Sequence, residues 1–183
     1  MTTGRLDRGD GTHLAWIRQD GRGPTIVFLP GFRSDMTGDK ATALAAFAAE
    51  RGQAMLRFDY SGHGASEGAF LDGTIGQWAS DALTAIDRLT EGPLILVGSS
   101  MGGWIALLTA LARPDRVTAL VGIAAAPDFT QRLMWDSMAP AERVTSDDVE
   151  IVLVKDGDHR LSRPRDLALL TRTVGALLEQ DGA

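Results

Sequence analysis

Short apolar runs and helical stretches alternate along most of this chain, and that alternation is its strongest constraint. Thr25-Ile26-Val27-Phe28-Leu29, Ala54 to Asp59, Leu94-Ile95-Leu96-Val97, Val117 to Ala124 and Val149 to Val154 have the length and branching of buried strands. Between them lie a helix over Lys40–Arg51 closed by Gly52, a helix marked by Ile75, Trp78, Ala82, Ile86 and Leu89, and a nearly all-apolar helix from Met101 to Arg113. Phe129 to Met138 reads as a further helix, and Leu167, Leu170, Val174 and Leu178 mark an amphipathic one at the end. Arg5–Arg8 and His13–Ile17 flank Gly9-Asp10-Gly11, so the chain opens on an antiparallel hairpin. Strand–helix repeats after a hairpin predict an α/β fold, with a mostly parallel sheet covered by helices on both faces. With 183 residues, one domain spanning 1–183 is expected.

In such a sheet, ligands meet the carboxyl ends of the strands. Gly98-Ser99-Ser100-Met101-Gly102 stands there, between a buried strand and an apolar helix. A G-x-S-x-G turn in that setting holds its serine in a strained conformation over a helix N-terminus. Ser100 is the candidate nucleophile, and Ser99 the weaker alternative. A serine hydroxyl needs a base, and the chain has three histidines. His13 lies on the opening hairpin and reads as solvated. His63 sits in the turn Asp59-Tyr60-Ser61-Gly62-His63-Gly64-Ala65-Ser66 and reads as locally bonded. His159 follows the last strand, on the same edge as Ser100, and is the candidate base; the alternative is a loop histidine capping the final helix near Ser162. An oxyanion would be held by the backbone N–H of Met101 and that of Phe32, beside Gly31 in the first strand–helix loop.

The runs Leu29-Pro30-Gly31-Phe32, Asp59 to Ser66, Gly98 to Trp104 and Gly157-Asp158-His159 together resemble the serine α/β-hydrolases. The Ser-Ser-Met-Gly-Gly-Trp run and the Pro-Gly-Phe-Arg-Ser-Asp-Met-Thr-Gly-Asp-Lys-Ala run are similar to those of bacterial relatives of the mitochondrial palmitoyl-protein thioesterase and acyl-glucuronide esterase. The resemblance covers about Leu14 to Leu178. It implies a three-layer α/β-hydrolase fold that cleaves carboxylic esters or acyl thioesters through an acyl-serine intermediate, with no metal and no cofactor. The substrate would be a small-molecule or acyl-protein ester or thioester.

The sequence departs from that family between Asp128 and Val149. A cap insertion and a penultimate strand carrying the triad acid have no counterpart, so a minimal, cap-less form is expected. Asp128, after the strand ending at Ala124, is the candidate acid; its competing role is N-cap of the helix at Phe129, and that reading is the stronger of the two. Asp147 and Asp148 fall at the wrong end of a strand, Asp156 and Asp158 crowd His159, and Asp35 and Asp72 are outside alternatives. A shortened, impaired or inactive hydrolase-fold protein is the alternative function. An unpaired sheet edge would favour a homodimer. The net charge of −6 argues against nucleic-acid partners. No apolar run approaches a membrane span and no signal-peptide pattern opens the chain, so a cytoplasmic protein is expected.

Overall fold

A computed structural model describes residues 1–125 and 158–180. The opening hairpin pairs β1 (Thr2–Asp7) with β2 (His13–Gln19) antiparallel, and Asp7 Oδ1 accepts the Gly9 amide at 2.7 Å in the turn between them. β3 (Arg22–Leu29), α1 (Asp39–Arg51), β4 (Gln53–Phe58), α2 (Ile75–Leu89), β5 (Leu94–Ser99), α3 (Met101–Ala112) and β6 (Val117–Ile123) then alternate. The last described element is α4 (Pro164–Gln180). The elements expected from periodicity within these residues are all present, with ends differing by a residue or three. Helix α1 stops where Gly52 takes a left-handed φ of 62° and donates its amide back to the final turn. Thr74 caps α2 by accepting the Gln77 amide at 3.2 Å.

Six described strands form one sheet in the order β1-β2-β4-β3-β5-β6. β2 meets β4 antiparallel, whereas β4, β3, β5 and β6 run parallel. Going outward from β3, the chain proceeds through β4 on one side and through β5 on the other. The crevice where this winding reverses lies at the carboxyl ends of β3 and β5, which carry Leu29-Pro30-Gly31 and Ser99-Ser100.

Strand side chains alternate between two faces, and both faces are covered. On one, Val27, Leu29, Leu56, Phe58, Leu94 and Leu96 pack against Trp78, Ala82 and Ile86 of α2 and Ile105 of α3. On the other, Ile26, Phe28, Met55, Ile95 and Val97 meet Leu44 and Ala48 of α1 and Leu170 and Val174 of α4. Burying each such Leu or Ile contributes about 2 kcal/mol. α4 therefore joins α1 on one layer, and α2 and α3 form the other.

Asp128, the helix expected at Phe129–Met138, the strand expected at Val149–Val154 and the carboxylates Asp147, Asp148 and Asp156 lie outside the described residues. So do the expected shortening and the sheet edge invoked for a homodimer. No helix among the described residues is long and apolar enough to cross a membrane.

Candidate active site

The turn from β5 to α3 is built by exclusion of side chains. A Cβ on Gly98 would fall on the backbone of Gly102 and Gly103, and one on Gly102 would fall on the carbonyls of Leu29 and Pro30. The absence of both lets helix and strands approach so closely that Ser100 is held at φ 53° and ψ −117°. Such a conformation costs on the order of 1–3 kcal/mol in a residue with a side chain. The surroundings hold it in place: the Ser100 amide donates to Ile123 O at 2.9 Å, and its carbonyl accepts the Gly103 amide at 2.9 Å. The hydroxyl is thereby lifted off the sheet at the N-terminus of α3, where the helix dipole favours negative charge.

His159 stands opposite. Its Nε2 lies 3.1 Å from Ser100 Oγ, within hydrogen-bond distance. The loop bearing it is folded on itself: Asp158 Oδ1 accepts the Leu161 amide at 2.9 Å, and Ser162 Oγ donates to Arg160 O at 3.1 Å. His159 therefore faces the serine and does not cap the last helix. Asp158 is occupied within its own turn. Among the described residues, no carboxylate hydrogen-bonds the ring's far nitrogen, Nδ1.

The first strand–helix loop closes the third side. A Cβ on Gly31 would sit 3.1 Å from Ser99 O and 3.4 Å from Ser100 Cβ, a tight fit that glycine relieves where this loop approaches the elbow. Phe32 follows it. Its ring is 56% exposed and packs edge-on against Phe70 at 5.0 Å and Trp78 at 6.2 Å. Among the described residues, the amides of Phe32 and Met101 donate to no acceptor, which leaves both available to an incoming oxygen. The three segments enclose a cleft of about 240 Å³ lined by Gly31, Phe32, Lys40, Ser100, His159 and Arg160, among others.

Two supports were not legible as such in the sequence. Asp59, at the end of β4, is buried and accepts the Met36 amide at 2.7 Å and the Ala65 amide at 2.8 Å. Arg57, on the same strand, donates to Met36 O at 2.9 Å. Both ends of the Met36 peptide are thus clamped, and the loop holding Phe32 is tied to β4. Burial raises the Asp59 carboxyl above its ordinary pKa, against the lowering effect of its two amide donors, and burial lowers that of Arg57. Asp59 belongs to the run Asp59–Ser66, whose regularity was visible, but its partner Met36 lies in a different loop. His63 is buried, with Nδ1 3.3 Å from Ser61 O and its ring among Tyr60, Phe70 and Trp78, as expected of a locally bonded turn histidine. His13 pairs with Glu67 at 3.0 Å on the hairpin. Asp35 lines the cleft, yet its Oδ1 accepts the Thr37 amide and hydroxyl.

A model of the serine aminopeptidase S33 family of hydrolases matches residues 23–147. The mitochondrial palmitoyl-protein thioesterase ABHD10 of Mus musculus is 34% identical, over 96% of this chain and 82% of that protein. The chain belongs to the serine α/β-hydrolase family. The solved structure of mouse α/β hydrolase domain-containing protein 10 superposes with a TM-score of 0.87 at 31% identity, over 98% of this chain and 99% of that one. The pimeloyl-[acyl-carrier protein] methyl ester esterase of Nitrosomonas europaea is 33% identical over 65% of this chain and 44% of that protein. These named activities agree with the ester and thioester chemistry expected of a serine hydrolase of this fold. The alignment to the mouse thioesterase runs over 243 positions against a chain of 183 residues, so dozens of positions in that α/β hydrolase have no counterpart here.

One expectation does not hold up. The thioesterase relatives from Mus musculus, Bos taurus and Homo sapiens are mitochondrial proteins, which overturns the cytoplasmic expectation. Charge and hydropathy suit a folded domain to any aqueous compartment, so they carry no address. The comparisons also give no support to the homodimer.

Proposed function

We propose that this α/β hydrolase cleaves acyl esters or thioesters with Ser100 as nucleophile, His159 as general base and acid, and the Phe32 and Met101 amides as the oxyanion donors. The observation that carries the reading is the 3.1 Å approach of Ser100 Oγ to His159 Nε2 above a strained elbow. Ser100 Oγ attacks the acyl carbonyl carbon as its proton passes to His159 Nε2. The carbonyl electrons move onto oxygen, where the two amides stabilise the developing charge. Collapse of the tetrahedral intermediate expels an alcohol or thiol, which takes the proton back from His159. Water then attacks the acyl-serine by the same route and releases the carboxylic acid. Asp128 is the proposed orienting acid for His159, from a position outside the described residues.

The substrate follows from the cleft and the relatives. A space of about 240 Å³ is smaller than the roughly 300–1,000 Å³ of sites that engulf a whole small molecule. It suits the reacting end of an acyl group whose remainder lies outside the described walls. Acyl thioesters are proposed because ABHD10 is a palmitoyl-protein thioesterase. We read residues 1–183 as one domain, since α4, from the second described stretch, packs on α1 in a shared core.

The test is labelling of the purified chain by a fluorophosphonate, beside Ser100→Ala and His159→Ala. Labelling confined to chains with Ser100 supports the reading, and no labelling of the unmutated chain overturns it in favour of an inactive member of the family. Label lost in Ser100→Ala but unaffected in Asp128→Asn would remove only the acid from the scheme. Turnover of a short p-nitrophenyl ester against a long acyl thioester then decides the substrate class.

A further inference from the structure

The loop that carries His159 rests on the core through the half-buried Leu161, and its internal polar contacts add no tie to the rest of the molecule. Asp158 to Leu161, Ser162 to Arg160, and Arg163 to Asp166 at 2.7 Å all join residues at most three apart. Lys40, in the first turn of α1, reaches this loop from 120 residues away. Its Nζ donates to the carbonyl of Arg160, the residue after His159, and to Ser162 Oγ at 3.2 Å. An ammonium has three donors and no acceptor, and two of its three hydrogens are taken by groups one and three residues beyond the base.

The geometry points to Lys40 as a positioning residue that latches the His159 loop onto α1 and so sets the Ser100–His159 approach. The latch also joins two parts of the site. Helix α1 begins where the loop bearing Phe32 ends, and Met36 of that loop is clamped by Asp59 and Arg57. One helix start therefore anchors the base on one side and continues the oxyanion loop on the other. The ammonium is not a solvated surface charge. Burial first, and then the neighbouring Arg160 charge, lower its pKa from the ordinary 10.5, while Asp39, Asp158 and Asp166 oppose that shift. A half-buried cation is costly unless its hydrogens find acceptors, and here the base loop supplies them.

This inference rests on the proposed roles of Ser100 and His159, and its test separates the two. Steady-state hydrolysis of a neutral p-nitrophenyl ester is measured for the unmutated chain, Lys40→Met, Lys40→Arg and Ser162→Ala. A displacement of about 1 Å in a reacting group can cost around 100-fold in rate. The latch predicts that Lys40→Met lowers kcat roughly 10- to 100-fold with KM within about threefold. Lys40→Arg should recover much of that loss, and Ser162→Ala should show a smaller loss of the same kind. Unchanged kcat in Lys40→Met overturns the latch, as does a raised KM at unchanged kcat, which would make Lys40 a substrate contact.

Amide hydrogen exchange over residues 158–163 reads the same contact without turnover. Faster exchange there in Lys40→Met, with the sheet unchanged, supports the latch, and equal exchange overturns it. If Lys40→Met does not fold, Ser162→Ala carries both measurements. An unmutated chain that hydrolyses nothing overturns the hydrolase reading, and the exchange comparison still decides the latch.

Discussion

The Ser100 turn and the His159 loop face each other across 3.1 Å, but they are held by different means. The turn between β5 and α3 is enforced by close backbone contact: Gly98, Gly102 and Gly103 are packed against carbonyls and neighbouring chain, and the strand leading into it is buried. The loop at Asp158–Ser162 is exposed or half-buried, and polar contacts together with the packing of Leu161 on the core hold it. Disturbing the first should therefore break the fold, whereas disturbing the second should cost rate while leaving the fold intact.

The largest expected effect is on the turn. Gly102→Ala would press a methyl group onto the carbonyls of Leu29 and Pro30, backbone atoms held in the sheet, and should destabilise by about 3 kcal/mol or more. The urea midpoint measures this, and an unchanged midpoint would erase the contrast between the two regions. His159→Ala is the matching change on the other side. It should lower turnover by roughly 10⁶-fold with the melting temperature unaltered, as should Ser100→Ala. A large fall in melting temperature for His159→Ala would show that the base loop is a folding element as well.

The oxyanion loop combines both modes, since Gly31 lies against the elbow while Asp59 and Arg57 hold Met36 by hydrogen bonds. Phe32→Pro removes the amide hydrogen and should lower kcat about 10²- to 10³-fold. Phe32→Ala keeps that hydrogen and removes a half-exposed ring with its edge contacts to Phe70 and Trp78, so kcat should fall by less than in Phe32→Pro. Similar losses in both variants would move the role from backbone to ring.

The smallest effect is one of pH. The folded Asp59 carboxyl has its pKa raised above 3.8 by burial, so the folded state holds this proton more tightly than the unfolded one. Its contribution to stability is fully present below pH 3.8 and is lost as pH rises through the raised value. Asp59→Asn should flatten the dependence of melting temperature on pH across that window. An unchanged slope would assign it to other groups.

Local sequence made the elbow legible. Glycines at 98, 102 and 103 around Ser100, between an apolar strand and an apolar helix, permit few other turns, so periodicity and spacing sufficed. His159 was expected on the Ser100 edge from an apolar run that lies outside the described residues, and its Nε2 stands 3.1 Å from Ser100 Oγ. Lys40, Arg57 and Asp59 were not assigned roles in this way. Each acts on a backbone group in another loop, and a backbone carbonyl or amide has no sequence identity to read. Lys40 in particular looks like an ordinary charged residue in the first turn of a helix until the Arg160 carbonyl is brought beside it.

Among the described residues, the sequence by itself determined which segments become strands and helices, that the sheet is covered on both faces, and which serine and histidine lie at one edge. These follow from hydrophobic period and from the glycines that a tight turn demands. Tertiary structure alone decided the distance between serine and base, the clamp on the Met36 peptide, and the reach of Lys40 across 120 residues to the His159 loop. Those depend on how the layers pack, because groups far apart in the chain acquire a fixed separation only when the core between them has closed.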